Sequence, residues 1–455
     1  MALEIIYWLQ DVREHMRVSR RRKTLRQPGR GFDYADDRFR DVVQRVVSRI
    51  HPRRMRLRVT EVIQETVTTR TFRLERIAGV GLRPCPLPPF RPGQYVNVFV
   101  DVDGVLTSRP YSIASAPPLS FPPMGGSETL ELTVRDRPGG FVAPYLLNEV
   151  QVGDELETTG PAGCFYHEPL IDGDDLVFLA GGSGITPFMS IIRDAFGRGE
   201  VTSPLHIYLL YGSRVPDDVI YGDELAELAA GHPNFDYALV ISEPPPGYEG
   251  DREGDHKGDR EGDHKGDHKG DRKGDHKGRP YLTGFLDANL IREQVGDPST
   301  GSPPRVLAVA GQAVVGKTFY ICGPNVMYDF CLAALEELGV PAYKIKRELY
   351  GPPADVTQEP GWPAGLSADT FFYVEVVGRK TVRAPAGEPL INTLERYAIV
   401  VEAVCRSGAC STCRARLLSG KVFMPAHTGL RESDRQRGYI HTCVAYPLED
   451  LRIRL

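Results

Sequence analysis

Cysteine spacing near the C-terminal end constrains this chain more than any other feature. Cys405-Arg-Ser-Gly-Ala-Cys410-Ser-Thr-Cys413 sets three thiols within one short stretch, and Cys443 follows thirty residues after the third. A C-x4-C-x2-C…C run lets three thiolates wrap a [2Fe-2S] cluster in one tight loop while a fourth closes it from a distant strand. Gly408 is the position that lets backbone amides turn toward the sulfurs. A structural zinc site would show paired C-x2-C knuckles, and the second pair is missing. Eight cysteines in 455 residues are also few, and four of them crowd here, which favours a metal site over disulfides.

At 455 residues the chain suits about three domains of roughly 150 residues each. Hydrophobic content of 41% and charged content of 25% are ordinary for a soluble protein, and no stretch reaches the roughly 18 apolar residues of a membrane span. Neither a transmembrane segment nor a nucleic-acid partner is expected. The net charge of −5 conceals an asymmetry: residues 1–54 carry 14 Lys+Arg against 7 Asp+Glu, and the remainder 41 against 53. Ser19 to Lys23 superficially resembles a twin-arginine export signal, but a polar stretch and not an apolar one follows. The expected location is cytoplasmic.

Residues 1–54 read as a basic helical extension. Phe39, Val42, Val43, Val46, Val47 and Ile50 share one helical face, with Asp36 or Asp37 as a cap, and Leu3 to Arg17 forms a second amphipathic pattern. From 55 to 170 short alternating runs between Pro and Gly clusters indicate an antiparallel β-barrel. From 171 to 350 the rhythm becomes strand, turn, helix, the mark of an α/β domain with a parallel sheet. Within it, residues 250–278 repeat Gly-Asp every four residues and contain nothing apolar, so a disordered loop is expected. A Pro/Gly-rich linker at 351–368 leads to a last β-rich unit at 369–455. The fold class is thus multidomain, α+β and α/β.

Three further motifs carry chemistry. Arg109-Pro110-Tyr111-Ser112 ends a barrel strand and supplies a cation for phosphate, an aromatic ring to stack on an isoalloxazine and a hydroxyl for its N5. Gly181-Gly182-Ser183-Gly184-Ile185-Thr186-Pro187 follows the apolar strand Leu176 to Ala180 and opens a helix. Its glycines admit a pyrophosphate, Thr186 is placed to cap and Pro187 suits the first helical turn. The run is not the GxGxxG fingerprint. Cys322-Gly323-Pro324 again turns from strand to helix, with Cys322 at the carboxyl end where α/β domains bind ligands.

Taken in order, these motifs resemble the ferredoxin-NADP reductase superfamily, in particular members whose flavin barrel and nicotinamide domain are followed by a C-terminal plant-type [2Fe-2S] ferredoxin domain of β-grasp fold. The reductases serving phenylacetyl-CoA epoxygenase, the hybrid-cluster protein and ketosteroid hydroxylase look like this. The resemblance covers 55–455 apart from the repeat. It implies that Arg109 contacts the flavin pyrophosphate, Tyr111 stacks on the ring and Ser112 approaches N5. Gly139 and Gly140 match a second flavin-phosphate segment, in which Ala143 replaces a usual Ser. Gly181, Gly182, Gly184, Thr186 and Pro187 match the nicotinamide-nucleotide loop, and Cys322, Gly323 and Pro324 flank the nicotinamide. Glu348 matches a carboxylate near the flavin, followed by Tyr350 where members often carry Phe. Cys405, Cys410, Cys413 and Cys443 match the cluster ligands.

The implied cofactors are FAD, with FMN as the alternative, a [2Fe-2S] cluster and NADH or NADPH; Arg214 by itself does not decide between the nucleotides. A nicotinamide gives up two electrons together and the cluster takes one, so the flavin joins them. The expected activity is an NAD(P)H-dependent reductase serving a separate acceptor, an oxygenase component or another iron protein. The competing expectation is an obligate electron-transfer subunit of a larger complex, and a third is metal storage on the Asp/His repeat.

Overall fold

The computed structural model describes residues 54–78, 83–84, 86–118, 129–136, 140–197, 203–244, 281–295, 316–353, 355–426 and 428–455. The helices expected in 1–54, the repeat at 250–278 and Gly139 lie outside the described residues. Arg54–Leu455 form one compact unit. Among the described residues no helix is long and apolar enough to cross a membrane.

The first sheet is antiparallel and curled. Its strands run in the order Arg83–Pro84, Thr69–Ala78, Met55–Thr66, Glu155–Thr158, Tyr95–Val102 and Val105–Ser112, with Thr129–Arg135 on the other side of Thr69–Ala78. A bridge between Ile113 and Leu132 brings the last strand round to Thr129–Arg135. Alternation drives the curl: Met55, Leu57 and Val59 point inward and meet Val96, Val98, Leu130 and Leu132. The short helix Ala143–Glu149 adds Leu146 and Leu147 to the same core.

The second sheet is wholly parallel, in the order Leu282–Thr283, Phe235–Ile241, His206–Ser213, Asp175–Gly181, Thr318–Cys322 and Ile345–Arg347. Its central strand is buried on both faces, which explains the unbroken apolar run. Phe188, Ile192 and Phe196 of helix Thr186–Phe196 cover one face beside Phe178. Ile291, Tyr328 and Leu335, from helices Ala288–Gln294 and Asn325–Glu337, cover the other beside Val177 and Leu179. After Asp175–Gly181 the chain builds outward on one side and then returns to lay Thr318–Cys322 on the other. The strand order therefore reverses between these two strands, and the crevice at their carboxyl ends is where such sheets bind ligands.

The third sheet is mixed, ordered Thr381–Pro385, Phe371–Val376, Leu451–Arg454, Arg414–Ser419 and Tyr439–His441, with Phe371–Val376 and Leu451–Arg454 parallel. Helix Leu390–Arg396 lies across it through Leu390 and Leu394. This is the β-grasp arrangement. The 351–368 stretch is not a free tether, because Val356 and Trp362 pack on Phe423 and Tyr446 of this last unit.

Candidate functional site

The cysteine loop is shaped by left-handed backbone at Arg406, Gly408 and Ser411, with φ of 54°, 81° and 59°. At Gly408 the constraint is double, since a Cβ would also fall 2.8 Å from the Val444 side chain. These turns aim amides inward: Ser407 N and Cys410 N donate to Cys405 Sγ at 3.4 and 3.3 Å. The sulfurs of Cys413 and Cys443 lie 3.2 Å apart. Hydrogen bonds from Cys410 and then Cys443 hold the Cys405 thiol well below its usual range, favouring the thiolate that metal ligation requires. Among the described residues no three ligating side chains close on a single ion. Side-chain contacts link Cys410 to Cys405, Cys405 to Cys443 and Cys443 to Cys413, so the four thiols stand together as a set that could hold a cluster. Cys405, Cys413 and Cys443 are buried, whereas Cys410 is exposed.

Around Arg109-Pro110-Tyr111-Ser112 the sheet brings together residues far apart in sequence. The register sets Ser112 opposite Tyr95. Ser112 Oγ lies 2.7 Å from the Tyr350 hydroxyl, and the Tyr95 and Tyr350 rings meet edge to face at 5.9 Å. Glu348 is buried and its Oε2 has no hydrogen-bond partner. Burial pushes its carboxyl up to about 8, opposed by a hydrogen bond from Tyr350 and aided by the Cys405 thiolate. Cys405 also adds to the upward push on Tyr95, which places the cluster loop within electrostatic reach of this pocket. Arg109 donates to Thr107 Oγ1 at 2.6 Å and to the Ser108 carbonyl at 2.8 Å. Burial, with the neighbouring Arg406 cation, lowers its guanidinium to about 10. Tyr111 is half-buried, and burial raises its phenol. An uncommitted buried carboxyl oxygen, a desolvated cation and three tyrosines around a serine suit a flavin ring and its phosphates.

The Gly181–Pro187 loop and the Cys322-Gly323-Pro324 turn stand on the two strands flanking the crevice, and they touch. A Cβ on Gly181 would lie 2.9 Å from Pro324 Cδ, and one on Gly184 would lie 2.7 Å from Gly323 Cα and run into the Cys322 carbonyl. Thr186 does not cap the helix as expected. It is already helical, and its hydroxyl donates to the Ser183 carbonyl at 3.0 Å after a tight turn at Gly182–Ile185. The short spacing between the strand end and the first helical residue leaves no extended position from which a side chain could reach forward. Cys322 is buried, and its thiol is raised by burial and then by Glu348. Gly140 is described and half-buried. Arg214 is exposed and pairs with Glu243 at 3.7 Å.

Sequence reasoning missed several contributors. Arg135, from the first sheet, lies against Gly182 and pairs with Asp218, which also accepts from Thr66 at 2.9 Å and Thr68 at 2.8 Å. Tyr95 and Gly163 meet beside Glu348: a Cβ on Gly163 would strike the Tyr95 ring at 2.8 Å and lie 3.4 Å from Glu348 Oε1. Thr107, Glu395 and Arg406 meet between the first and third sheets. Apart from Arg406, which sits within the cysteine motif, none of these carries a motif, and only the pairing of strands and the packing of one sheet on another bring them into play.

Residues 56–167 match the oxidoreductase FAD-binding domain, 178–256 the oxidoreductase NAD-binding domain and 374–448 the 2Fe-2S iron-sulfur cluster binding domain. The glycine betaine monooxygenase reductase subunit of Pseudomonas aeruginosa is 25% identical over 416 residues, spanning 87% of this chain and 94% of that protein. The ferredoxin reductase component of 3-ketosteroid-9-alpha-monooxygenase from Mycobacterium tuberculosis is 28% identical over 409 residues, again 87% of this chain and 94% of that protein. Phthalate dioxygenase reductase, solved as a modular structure for electron transfer from pyridine nucleotides to [2Fe-2S], covers 88% of this chain and 98% of its own, with a TM-score of 0.55 at 20% identity. That likeness speaks to the fold. With oxidoreductase FAD-binding, oxidoreductase NAD-binding and 2Fe-2S cluster binding domains following one another in this order, the chain is an NAD(P)H-dependent oxidoreductase passing electrons through flavin and cluster to an acceptor.

Proposed function

We propose that the acceptor is a separate protein, the oxygenase component of a two-protein system, and that it docks over the exposed Cys410 of the cysteine loop. The observation carrying this is the exposure of Cys410 beside three buried thiols of the same set, Cys405, Cys413 and Cys443. The cysteine loop is therefore open to an external partner at Cys410. The relatives named for oxygenase systems support the choice of partner class.

The working residues follow the same reading, with domains at 55–170, 171–350 and 369–455. Arg109 neutralises flavin phosphate together with the Gly139–Gly140 segment, Tyr111 stacks on the ring and Ser112 donates at N5. Gly181, Gly182, Gly184, Thr186 and Pro187 admit the nucleotide phosphates, while Cys322, Gly323 and Pro324 seat the nicotinamide beside the pocket. Glu348, protonated near neutral pH, holds a proton on a buried oxygen and keeps water from that wall. Cys405, Cys410, Cys413 and Cys443 hold the two irons. Bound flavin supplies the conversion of a hydride into single electrons that the cluster can take. Its donor and its reduced thiols suit a cytoplasmic setting.

The test is reconstitution with a purified candidate oxygenase component from the same source. Oxygen uptake and substrate hydroxylation driven by NAD(P)H are expected only when both proteins are present. Efficient reduction of another iron protein, with no transfer to that oxygenase, would overturn the assignment of the partner.

A further inference from the structure

Between the flavin sheet and the cluster domain lies a group of buried polar side chains that neither motif explains. Thr107 sits on strand Val105–Ser112, two residues before Arg109. Glu395 sits on helix Leu390–Arg396, and Arg406 directly follows Cys405 in left-handed backbone. All three are nearly inaccessible, at 6%, 6% and 4% exposure. Arg406 Nη2 pairs with Glu395 Oε1 and donates to Thr107 Oγ1 at 3.1 Å. Thr107 Oγ1 donates to Glu395 Oε2 at 2.9 Å and accepts from Arg109 Nη1 at 2.6 Å. Arg406 Nη1 reaches Asn392 Oδ1 at 3.4 Å on the same helix.

We propose that Glu395 and Arg406 are positioning residues that lock the cluster loop in register on the flavin-binding strand through Thr107, and so set how fast electrons pass from flavin to cluster. This rests on that strand being the flavin cradle. Burying a charged pair costs several kcal/mol per ion in desolvation, and apolar residues of similar size generally hold a seam as well or better. Cohesion therefore does not account for a charged pair here. What such a pair adds is direction: the Glu395 carboxylate is held by two donors from two domains, a geometry that a sliding or tilted interface loses. Arg406 is bonded to Cys405 on one side and held by Thr107 on the other, so the register it imposes is that of a cluster ligand on a flavin-binding strand. Electron transfer falls steeply with separation, and a slack seam costs rate even when both redox centres are intact.

The experiment uses the full chain loaded with flavin and cluster, mixed rapidly with NADH or NADPH. In Glu395→Gln the reduction of flavin is expected to keep its wild-type rate, and the electron paramagnetic resonance spectrum of the chemically reduced cluster its wild-type form. Flavin-to-cluster transfer is expected to slow by about tenfold, the scale of loss that small misplacements bring. Hydrogen exchange in 390–396 and 405–413 should quicken. Arg406→Lys, which keeps the charge but not the planar fork, should retain only part of the parent's rate in the same step. Should Glu395→Gln fail to hold its cluster, the double variant Glu395→Met with Arg406→Met keeps the seam filled without a buried charge. It should fold and bind both cofactors, yet remain slow in the same step. Wild-type transfer in a cluster-loaded Glu395→Gln or in the double variant would overturn the proposal. Failure of NAD(P)H to reduce flavin in the parent chain would count against the functional reading and not against the clamp.

Discussion

Ser112 and Tyr350 stand 238 residues apart in sequence, yet their hydroxyl oxygens are 2.7 Å apart. This bond joins the end of strand Val105–Ser112 to the segment following the last strand of the nucleotide sheet, and it fixes the serine hydroxyl at the place proposed for hydride exchange.

Ser112→Ala removes the hydroxyl proposed to face N5 and should slow flavin reduction by NAD(P)H roughly tenfold, equivalent to about 1.4 kcal/mol of barrier. Tyr350→Phe leaves that hydroxyl in place and free to turn, so a smaller effect is expected. Stopped-flow measurement of flavin bleaching distinguishes them, and a larger loss in Tyr350→Phe would show that the tyrosine and not the serine touches the reacting atoms.

Glu348 gives the protein a pH dependence of known sign. Its carboxyl is raised from 4.5 to about 8, so the folded state binds the proton more tightly than the unfolded chain does. Stability from this group is complete below about pH 4.5 and is lost as pH rises toward 8, by an amount on the order of a few kcal/mol. Glu348→Gln keeps the shape and removes the titration. Its melting temperature should vary less than the parent's between those limits, and an unchanged pH profile would show that Glu348 is already ionised in the folded protein.

Much of this architecture was legible because it rests on local constraints. The C-x4-C-x2-C spacing and Gly408 describe a single loop, whose left-handed residues the structure shows. The run Leu176 to Ala180 announces a strand buried on both faces. What remained hidden depends on register and topology. That the Gly181–Pro187 loop touches Cys322 and Gly323 follows from the reversal of strand order beside Asp175–Gly181, which no local pattern encodes. Arg135 and Glu395 look like any surface charge until the sheets set them against Gly182 and Thr107. The mistaken cap at Thr186 has a local cause, since a Thr-Pro pair after glycines fits both a capping position and a first helical turn.

Gly184→Ala tests the contact between the two nucleotide-binding turns. The added methyl would meet the Cys322 carbonyl and come within 2.7 Å of Gly323 Cα, both backbone, so the strand ends must separate. Overpacking of this kind costs about 1–3 kcal/mol. The expected outcome is a raised KM for the nucleotide, with flavin content and the cluster spectrum intact. An unchanged KM would place the nucleotide away from this crevice.

The order of electron flow can be read from two cysteines. With Cys410, which is exposed, and Cys443, which is buried, both proposed as cluster ligands, Cys410→Ser and Cys443→Ser should each abolish or destabilise the cluster, with Cys443→Ser the more damaging to the fold because its sulfur is enclosed. The flavin and nucleotide sheets have cores of their own and should persist in both variants. If electrons run from nicotinamide to flavin to cluster to partner, Cys410→Ser still bleaches its flavin with NAD(P)H and still reduces ferricyanide. It fails with cytochrome c and with the physiological acceptor, whose electrons must come by the cluster. Blocking upstream reverses the pattern: Ser112→Ala depresses every activity and leaves the cluster absorption in place. A Cys410→Ser protein that is folded and flavin-loaded, yet cannot be reduced by NAD(P)H, would break the linear scheme, because a lesion at the exit would then control the entrance.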